Sequence, residues 1–226
     1  MNSRNLSDLY EVAARATINE RCATAYLHDI RGSMQALFSA LELLGRSARK
    51  GGSDLDRVEK ACALAKRAID FHEKSTLNAL HILTLQDAES ATLDVGALMN
   101  DVVHFLRNNA ANKGVTVSLL GTAPLSVAAE RARLQTLLVG LVADAIDATP
   151  GGTELPITVS REASFVVICI GSNAGYPVDN STEDLSHELT LHFARQFLST
   201  NGGRLEIDAA APPRGSLRLY YPIKAE

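Results

Sequence analysis

The first part of the chain carries a repeating pattern of apolar positions that predicts a long helix. Between residues 27 and 44, apolar side chains recur at alternating spacings of three and four, the seam through which helices pack in bundles. The seam consists of Leu27, Ile30, Met34, Leu37, Leu41 and Leu44. The helix is expected to end near residues 46–50, where a basic last turn precedes Gly51 and Gly52.

A second stretch with the same spacing predicts a second helix. Ser53 can cap its start, because a serine side chain accepts hydrogen bonds from the free backbone N–H groups of a first turn. Its apolar positions are Leu55, Val58, Cys62, Ala65 and Ile69. The pattern continues less regularly to about Gln86, so the two helices predict an antiparallel hairpin. Because a lone hairpin leaves one side of each helix uncovered, we expect a homodimeric four-helix bundle through residues 6–86.

The remainder of the chain alternates between the period of a helix and the period of a strand. Helices are predicted over residues 95–112, 134–148 and 186–200. Strands are predicted over residues 115–120, 125–128, 157–161, 165–170, 205–209 and 217–222. This order predicts an α/β sandwich, one mixed sheet covered by helices. We therefore expect an α+β protein with a helical hairpin domain over residues 1–88 and an α/β domain over residues 92–226.

Composition is that of an ordinary globular protein and argues against several functions. Of the 226 residues, 46% are apolar and 21% are charged, and the net charge of −4 does not fit a basic nucleic-acid-binding surface. No run of 18 apolar residues occurs, and the first residues lack the apolar core of a signal peptide. The three cysteines are widely spaced and show neither a zinc-binding nor a disulfide pattern. These observations predict a cytoplasmic protein that binds neither nucleic acid nor membrane.

His28, Asp29 and Arg31 are the strongest candidates for chemistry. If Leu27 and Ile30 belong to the seam, His28 lies beside it on the exposed flank of the helix. Asp29 could hold the imidazole in one tautomer, which leaves the other ring nitrogen free to act as a nucleophile. Arg31 lies three residues further on, on nearly the same side of the helix. Spacing alone favours a simpler interpretation, a surface histidine with a chance acidic neighbour.

Three stretches, in the appropriate order, resemble motifs of the two-component histidine kinases. Residues 28–37, HDIRGSMQAL, resemble the phosphoacceptor motif, in which the histidine is followed by an acidic residue, an apolar residue and Arg or Lys. Residues 134–150, LQTLLVGLVADAIDATP, resemble the N box of the ATP-binding domain. Residues 201–207, NGGRLEI, resemble the start of the strand after the last helix. The resemblance covers nearly the whole chain and implies a dimeric hairpin carrying the phosphoacceptor His28, followed by a domain with the ATP-binding fold.

The residues that would bind ATP depart from the family pattern. Asp144 stands where the family has an asparagine that ligates the Mg²⁺ of ATP, and Gly140 replaces an earlier asparagine of that box. Gly171, in a stretch ending at Gly175, replaces the aspartate that accepts from the adenine amino group. Glu188 and three bulky residues replace a glycine-rich loop whose backbone N–H groups cradle the phosphates. We therefore expect a degenerate nucleotide site, although Asp144 alone could still hold a metal.

Other candidate residues carry weaker signals. Gly32 lies four residues after His28, where bifunctional members of the family often have the Thr or Asn that positions a water for phosphatase action. Phosphatase action is therefore not expected. His187 and His192 are five residues apart, roughly 140° around a helix, which does not predict a metal pair. His72 lies near the predicted seam, where a satisfied core histidine is the ordinary interpretation.

A kinase-like chain that keeps its phosphoacceptor and loses its ATP site resembles the ChpT-type histidine phosphotransferases. That resemblance implies that His28 takes a phosphoryl group from the aspartyl phosphate of one response-regulator receiver domain and passes it to another. Asp29 would orient the imidazole, and Arg31 would steady the phosphoryl oxygens. The receiver would bring Mg²⁺, so no cofactor of the chain's own is expected. Two alternatives stay open, a divergent ATP-dependent histidine kinase and a non-enzymatic pseudokinase scaffold.

Overall fold

Two long helices form the first part of the chain, as the heptad spacing predicts. Helix α1 spans Ser3–Arg49 and helix α2 spans Leu55–Leu83. The computed structural model describes residues 3–49, 55–83, 90–121, 124–171, 185–208 and 215–223. The predicted cap at Ser53 and the predicted end of the second helix near Gln86 lie outside these described residues.

The chain divides into two compact units, and α1 contributes to both of them. The hairpin unit is Cys22–Leu83. The sheet unit consists of α1 as far as Arg21 together with the residues from the first strand onward. Within the described ranges, no helix combines the length and the apolar character that a membrane crossing requires.

Small and polar side chains form the contact between the two helices of the hairpin unit. The buried positions are Asp29, Ser33, Ala40 and Ser47 in α1, and Ala61, Ala68, Ser75 and Ala79 in α2. The Tyr26 hydroxyl lies 3.1 Å from Thr76 Oγ1, and Ser33 Oγ lies 3.2 Å from His72 Nδ1. His72 therefore has a hydrogen-bond partner inside the hairpin and does not need a functional explanation.

Half of the predicted seam side chains are exposed in the single chain, and the other half are partly buried. Leu41 is 62% exposed and Phe38 beside it is 65% exposed, with Leu27 and Met34 exposed on the same helix. Helix α2 adds a second group of exposed apolar side chains, Leu55, Ile69, Leu77 and Leu80. An apolar surface of this extent is typical of one that another protein covers.

The described residues of the sheet unit form two sheets, where the sequence pattern predicts one. The main sheet has the strand order β2-β4-β5-β7-β6, with β2 parallel to β4 and the other pairs antiparallel. Its strands are β2 (Thr116–Leu120), β4 (Glu154–Glu162), β5 (Phe165–Gly171), β6 (Arg204–Asp208) and β7 (Ser216–Pro222). A separate antiparallel pair joins β1 (Ala91–Asp94) to β3 (Ser126–Ala129). Strand β1 has a single buried side chain, Leu93, so its alternation is too short to predict.

Helices α3, α4 and α5 provide the apolar layer against which the main sheet packs. They span Val95–Lys113, Arg131–Ala148 and Leu185–Thr200. Asp94 caps α3 by accepting from the backbone N–H groups of Gly96 and Ala97 at 2.8 and 3.2 Å. Helix α4 contacts both α3 and α5, and it is buried continuously from residue 134 to residue 146, as an all-round apolar helix should be.

Tyr221 connects the two sheets. Its hydroxyl donates a hydrogen bond to the backbone carbonyl of Ala128 in β3, at 3.0 Å. Burial raises the pKa of Tyr221 to about 12, so the hydroxyl stays protonated at neutral pH and remains a donor.

Gln135 of α4 is a polar residue in an apolar core. It is 1% exposed, and neither its Oε1 nor its Nε2 has a hydrogen-bond partner among the described residues. A buried amide without partners costs about 1–3 kcal/mol, and methionine fills a similar volume without polar atoms.

We expect Gln135→Met to raise the free energy of unfolding by about 1–2 kcal/mol in urea denaturation. Gln35→Met, at an exposed position of α1, is the matched control and should change stability by less than about 0.5 kcal/mol. A less stable Gln135→Met protein would contradict the inference that the amide is unsatisfied.

Candidate functional site

The predicted phosphoacceptor His28 presents its side chain to solvent on helix α1. Its side chain is 59% exposed, because the positions of α1 that contact α2 lie on other sides of the helix. Arg31, on the same helix, is also exposed. An imidazole this accessible can be approached by the reactive group of another protein.

Asp29 is buried beside His28 but does not hydrogen-bond its ring. Its side chain is 5% exposed, and its Oδ1 lies 3.9 Å from His28 Nδ1, a distance longer than a hydrogen bond. Consecutive residues point about 100° apart around a helix, so Asp29 turns into the hairpin while His28 faces outward. The expected hydrogen bond that would hold one tautomer is therefore absent between these two side chains.

Asp144 of α4 lies in a second cluster, where both of its carboxylate oxygens are engaged. Its side chain is 6% exposed. Arg21 Nη1 donates to Asp144 Oδ1, and His187 Nδ1 lies 3.1 Å from Oδ2. The other terminal nitrogen of Arg21 donates to Asp147 Oδ2 at 2.7 Å. Arg21 thus bridges two acidic side chains of α4 that are three residues apart.

The charge of Arg21 makes this cluster unsuited to a divalent cation. Burial alone lowers the pKa of Arg21, but the charges of Asp144 and Asp147 and the hydrogen bonds to them outweigh burial and leave the pKa raised. A permanent cation therefore neutralises Asp144, and the expectation that Asp144 could hold a metal does not fit the geometry. In the part of the chain that the structure describes, no group of three His, Cys, Asp or Glu residues could bind a metal ion.

The space above Gly140, one turn before Asp144, is filled by other side chains. A Cβ atom at Gly140 would lie 2.7 Å from Ile18 Cδ1 of α1 and 3.0 Å from Thr190 Cγ2 of α5. The first distance is shorter than real Cβ contacts and the second is tighter than most of them, so the buried Ile18 side chain would have to shift to admit a larger residue. The position at which the family resemblance places an asparagine is therefore covered by the end of the Ile18 side chain.

At the other described positions of the expected nucleotide site, no neighbouring side chain fills the space as Ile18 does at Gly140. A Cβ atom at Gly171 would make only ordinary contacts, 3.5 Å from Pro156 Cγ, so this position has room but lacks an acceptor for adenine. Glu188 is exposed in the first turn of α5. Gly175 lies outside the described residues.

Sequence reasoning missed Arg21, His187 and Ile18 as members of this cluster. Arg21 and Asp144 are 123 residues apart, and no motif or period relates two such distant positions. His187 and His192 contact different residues, since the His192 ring lies 4.6 Å from the Tyr10 ring.

The helical hairpin followed by a mixed sheet covered by helices defines a histidine-kinase-like fold. The catalytic domain of histidine kinase ThkA has a TM-score of 0.53 and 18% identity, covering 60% of this chain and 97% of that one. Acinetobacter baumannii histidine kinase AdeS has a TM-score of 0.51 and 15% identity, covering 88% and 98% respectively. A histidine kinase from Burkholderia phymatum STM815 has a TM-score of 0.51 and 16% identity, covering 91% and 99%.

These similarities establish the fold and leave the activity open. All three identities are below 20%, and a fold can be shared by proteins with different functions. No protein-family model matches the sequence, and no curated protein matches it significantly. The function therefore has to be argued from the His28 site and from the cluster around Asp144.

Proposed function

We propose that the chain is a histidine phosphotransferase that relays phosphoryl groups between receiver-domain aspartates through His28. The proposal rests on the different accessibility of two side chains, His28 and Asp144. The imidazole of His28 is open to a partner, whereas the carboxylate of Asp144 is already neutralised by Arg21. Among the described residues, Asp144 is already paired, so we infer that the phosphoryl group on His28 would come from another protein.

The proposed reaction consists of two reciprocal transfers. A ring nitrogen of His28 attacks the phosphorus of an aspartyl phosphate, so that a P–N bond forms as the P–O bond to the aspartate breaks. The aspartate of a second receiver then attacks the phosphohistidine, which reverses these bond changes. Positive charge develops on the imidazole in the first step, and the Asp29 carboxylate at 3.9 Å stabilises it. Arg31 would contact the phosphoryl oxygens, and the receiver would bring Mg²⁺, so the chain itself needs no cofactor.

We propose that the active form is a homodimer built through the hairpin. The exposed apolar side chains of α1 and α2 provide the surface that a second copy would cover. The receiver would dock on the exposed face of the bundle around His28, using those of Met34, Leu37 and Phe38 that the second copy leaves exposed. In this arrangement, the hairpin domain of residues 1–88 carries the transfer and the domain of residues 92–226 no longer serves a nucleotide.

The proposal is tested by mixing the protein with a set of phosphorylated receiver domains. We expect one or more receivers to lose aspartyl phosphate as acid-labile phosphohistidine appears at position 28, located by mass spectrometry. A second, unphosphorylated receiver added afterwards should then gain the phosphoryl group.

The same assay separates the two alternative functions. Phosphohistidine formed from Mg-ATP without any receiver would identify an ATP-dependent kinase. Receiver binding without loss of aspartyl phosphate would identify a pseudokinase scaffold. Either result would overturn the phosphotransferase proposal.

A further inference from the structure

The beginning of α1 contacts the two helices that the kinase resemblance assigns to nucleotide binding. Arg21 joins Asp144 and Asp147 of α4 and lies 3.5 Å from Ser186 Oγ in α5. Ile18 fills the space between Gly140 of α4 and Thr190 of α5. These contacts come from one face of α1 and lie within the sheet unit.

The same face of α1 makes two further contacts about two turns before Ile18, through Glu11 and Tyr10. Glu11 Oε2 accepts from Arg133 Nη2 of α4 at 2.7 Å, and the guanidinium of Arg133 also lies over the ring of Phe197 at 5.3 Å. Tyr10 contacts the ring of His192 in α5. An ion pair, a buried isoleucine and a bridging arginine therefore follow one another along about three turns of α1, which is more than an incidental surface contact.

We propose that residues 10–21 of α1 are the built-in occupant of the former nucleotide face of the sheet unit. In this interpretation, Arg21 supplies the positive charge beside Asp144 that a metal ion would otherwise supply. Ile18 fills the place of an N-box side chain. The inference rests on the proposed function only in treating this face as one that no longer serves ATP.

Charge and packing both make this occupant hard to displace by a nucleotide. A nucleotide that entered would have to displace Arg21 from both Asp144 and Asp147, and its accompanying Mg²⁺ would have to replace that cation beside the buried Asp144. It would also have to eject Ile18 from a closely packed contact. The face therefore binds helix α1 in place of a soluble ligand, and the sheet unit gains a structural role in holding the beginning of that helix.

The test is amide hydrogen exchange on the full-length protein, read by mass spectrometry in residues 10–20 and in α5. We expect Arg21→Ala and Asp144→Asn each to raise exchange in both segments by about tenfold or more. The double variant should exchange no faster than the faster single variant, because the two side chains act through one interaction. Arg21→Lys keeps the charge but cannot bridge Asp144 and Asp147 in the same way, so its exchange should lie between wild type and Arg21→Ala.

Arg46 and Glu42 provide a matched control on the same helix, because they form an exposed ion pair at 2.5 Å within the hairpin unit. Arg46→Ala and Glu42→Gln should each change exchange in residues 10–20 and α5 by less than about twofold. Additive effects of Arg21→Ala and Asp144→Asn would overturn the proposal. So would faster exchange in residues 10–20 when wild type is given millimolar Mg-ATP.

These outcomes are independent of phosphotransfer, which is assayed separately with receivers. If exchange shows the coupling between Arg21 and Asp144 but no phosphotransfer is found, the occupied face is supported and the proposed function is wrong. If phosphotransfer is found without that coupling, the proposed function is supported and the occupied face is wrong.

Discussion

Replacing His28 with alanine is expected to abolish phosphotransfer and leave the protein folded. Without the imidazole nitrogen no P–N bond can form, so the rate of aspartyl phosphate loss should fall to that of the receiver alone. The side chain is 59% exposed, so its removal should change the free energy of unfolding by no more than about 0.5 kcal/mol. Radiolabelled receiver decay, together with urea denaturation of both proteins, measures the two effects.

Two comparisons make the His28 result specific. His192→Ala removes another exposed imidazole, in the sheet unit, and should leave transfer intact. Asp29→Asn should slow transfer without abolishing it, because the carboxylate acts on the ring through charge across 3.9 Å. If wild type and His28→Ala bind the receiver equally, and with both the aspartyl phosphate decays only as fast as in the receiver alone, His28 is not the phosphoacceptor and the scaffold interpretation is the correct one.

Leu41→Glu is expected to dissociate the homodimer or prevent its folding. In an isolated chain Leu41 is 62% exposed, so a glutamate there would be harmless. In a four-helix bundle the same residue lies in the seam and is buried. Burying a neutral polar group without a hydrogen-bond partner costs about 2–7 kcal/mol, and burying an unpaired carboxylate costs more. Sedimentation should therefore show a dimer for wild type and a species of 24.2 kDa, or an unfolded chain, for the variant.

Ser39→Glu is the matched control for Leu41→Glu. It adds the same charge two residues away, at an exposed position outside the seam, and should leave the dimer intact. Wild-type protein that sediments as a monomer at micromolar concentration would contradict the dimer, whatever the variants do. Dissociation by both variants would instead indicate a general charge effect.

Much of the fold follows from periodicity that is local in the sequence. The heptads predict α1 and α2, and the later patterns place three helices and six strands close to their observed positions. The exposure of His28 follows in the same way, from its place beside the seam. Strand β1 was not predicted, because four residues with one buried side chain are too few to show the alternation of apolar and polar residues that marks a strand. Its pairing with β3 is what divides the predicted single sheet into two.

The cluster around Asp144 could not be predicted, because it depends on contacts between distant parts of the chain. The N-box resemblance identifies Asp144 and Gly140 as unusual residues, but it does not show what replaces the metal or the missing side chain. Arg21 lies in a helical stretch whose apolar seam faces elsewhere, so the sequence pattern assigns its polar side chain to the surface. Only the packing of α1 on α4 and α5 shows that Arg21 pairs with the buried Asp144 and the exposed Asp147.

The contact between Gly140 and Ile18 couples two positions that are distant in the sequence. A Cβ atom at position 140 would lie 2.7 Å from Ile18 Cδ1, so any larger residue there requires the Ile18 side chain to move. A smaller residue at position 18 would make room, but by itself it would open a cavity in the packed contact. We therefore expect a substitution at one of these positions to be tolerated better when the other position changes with it.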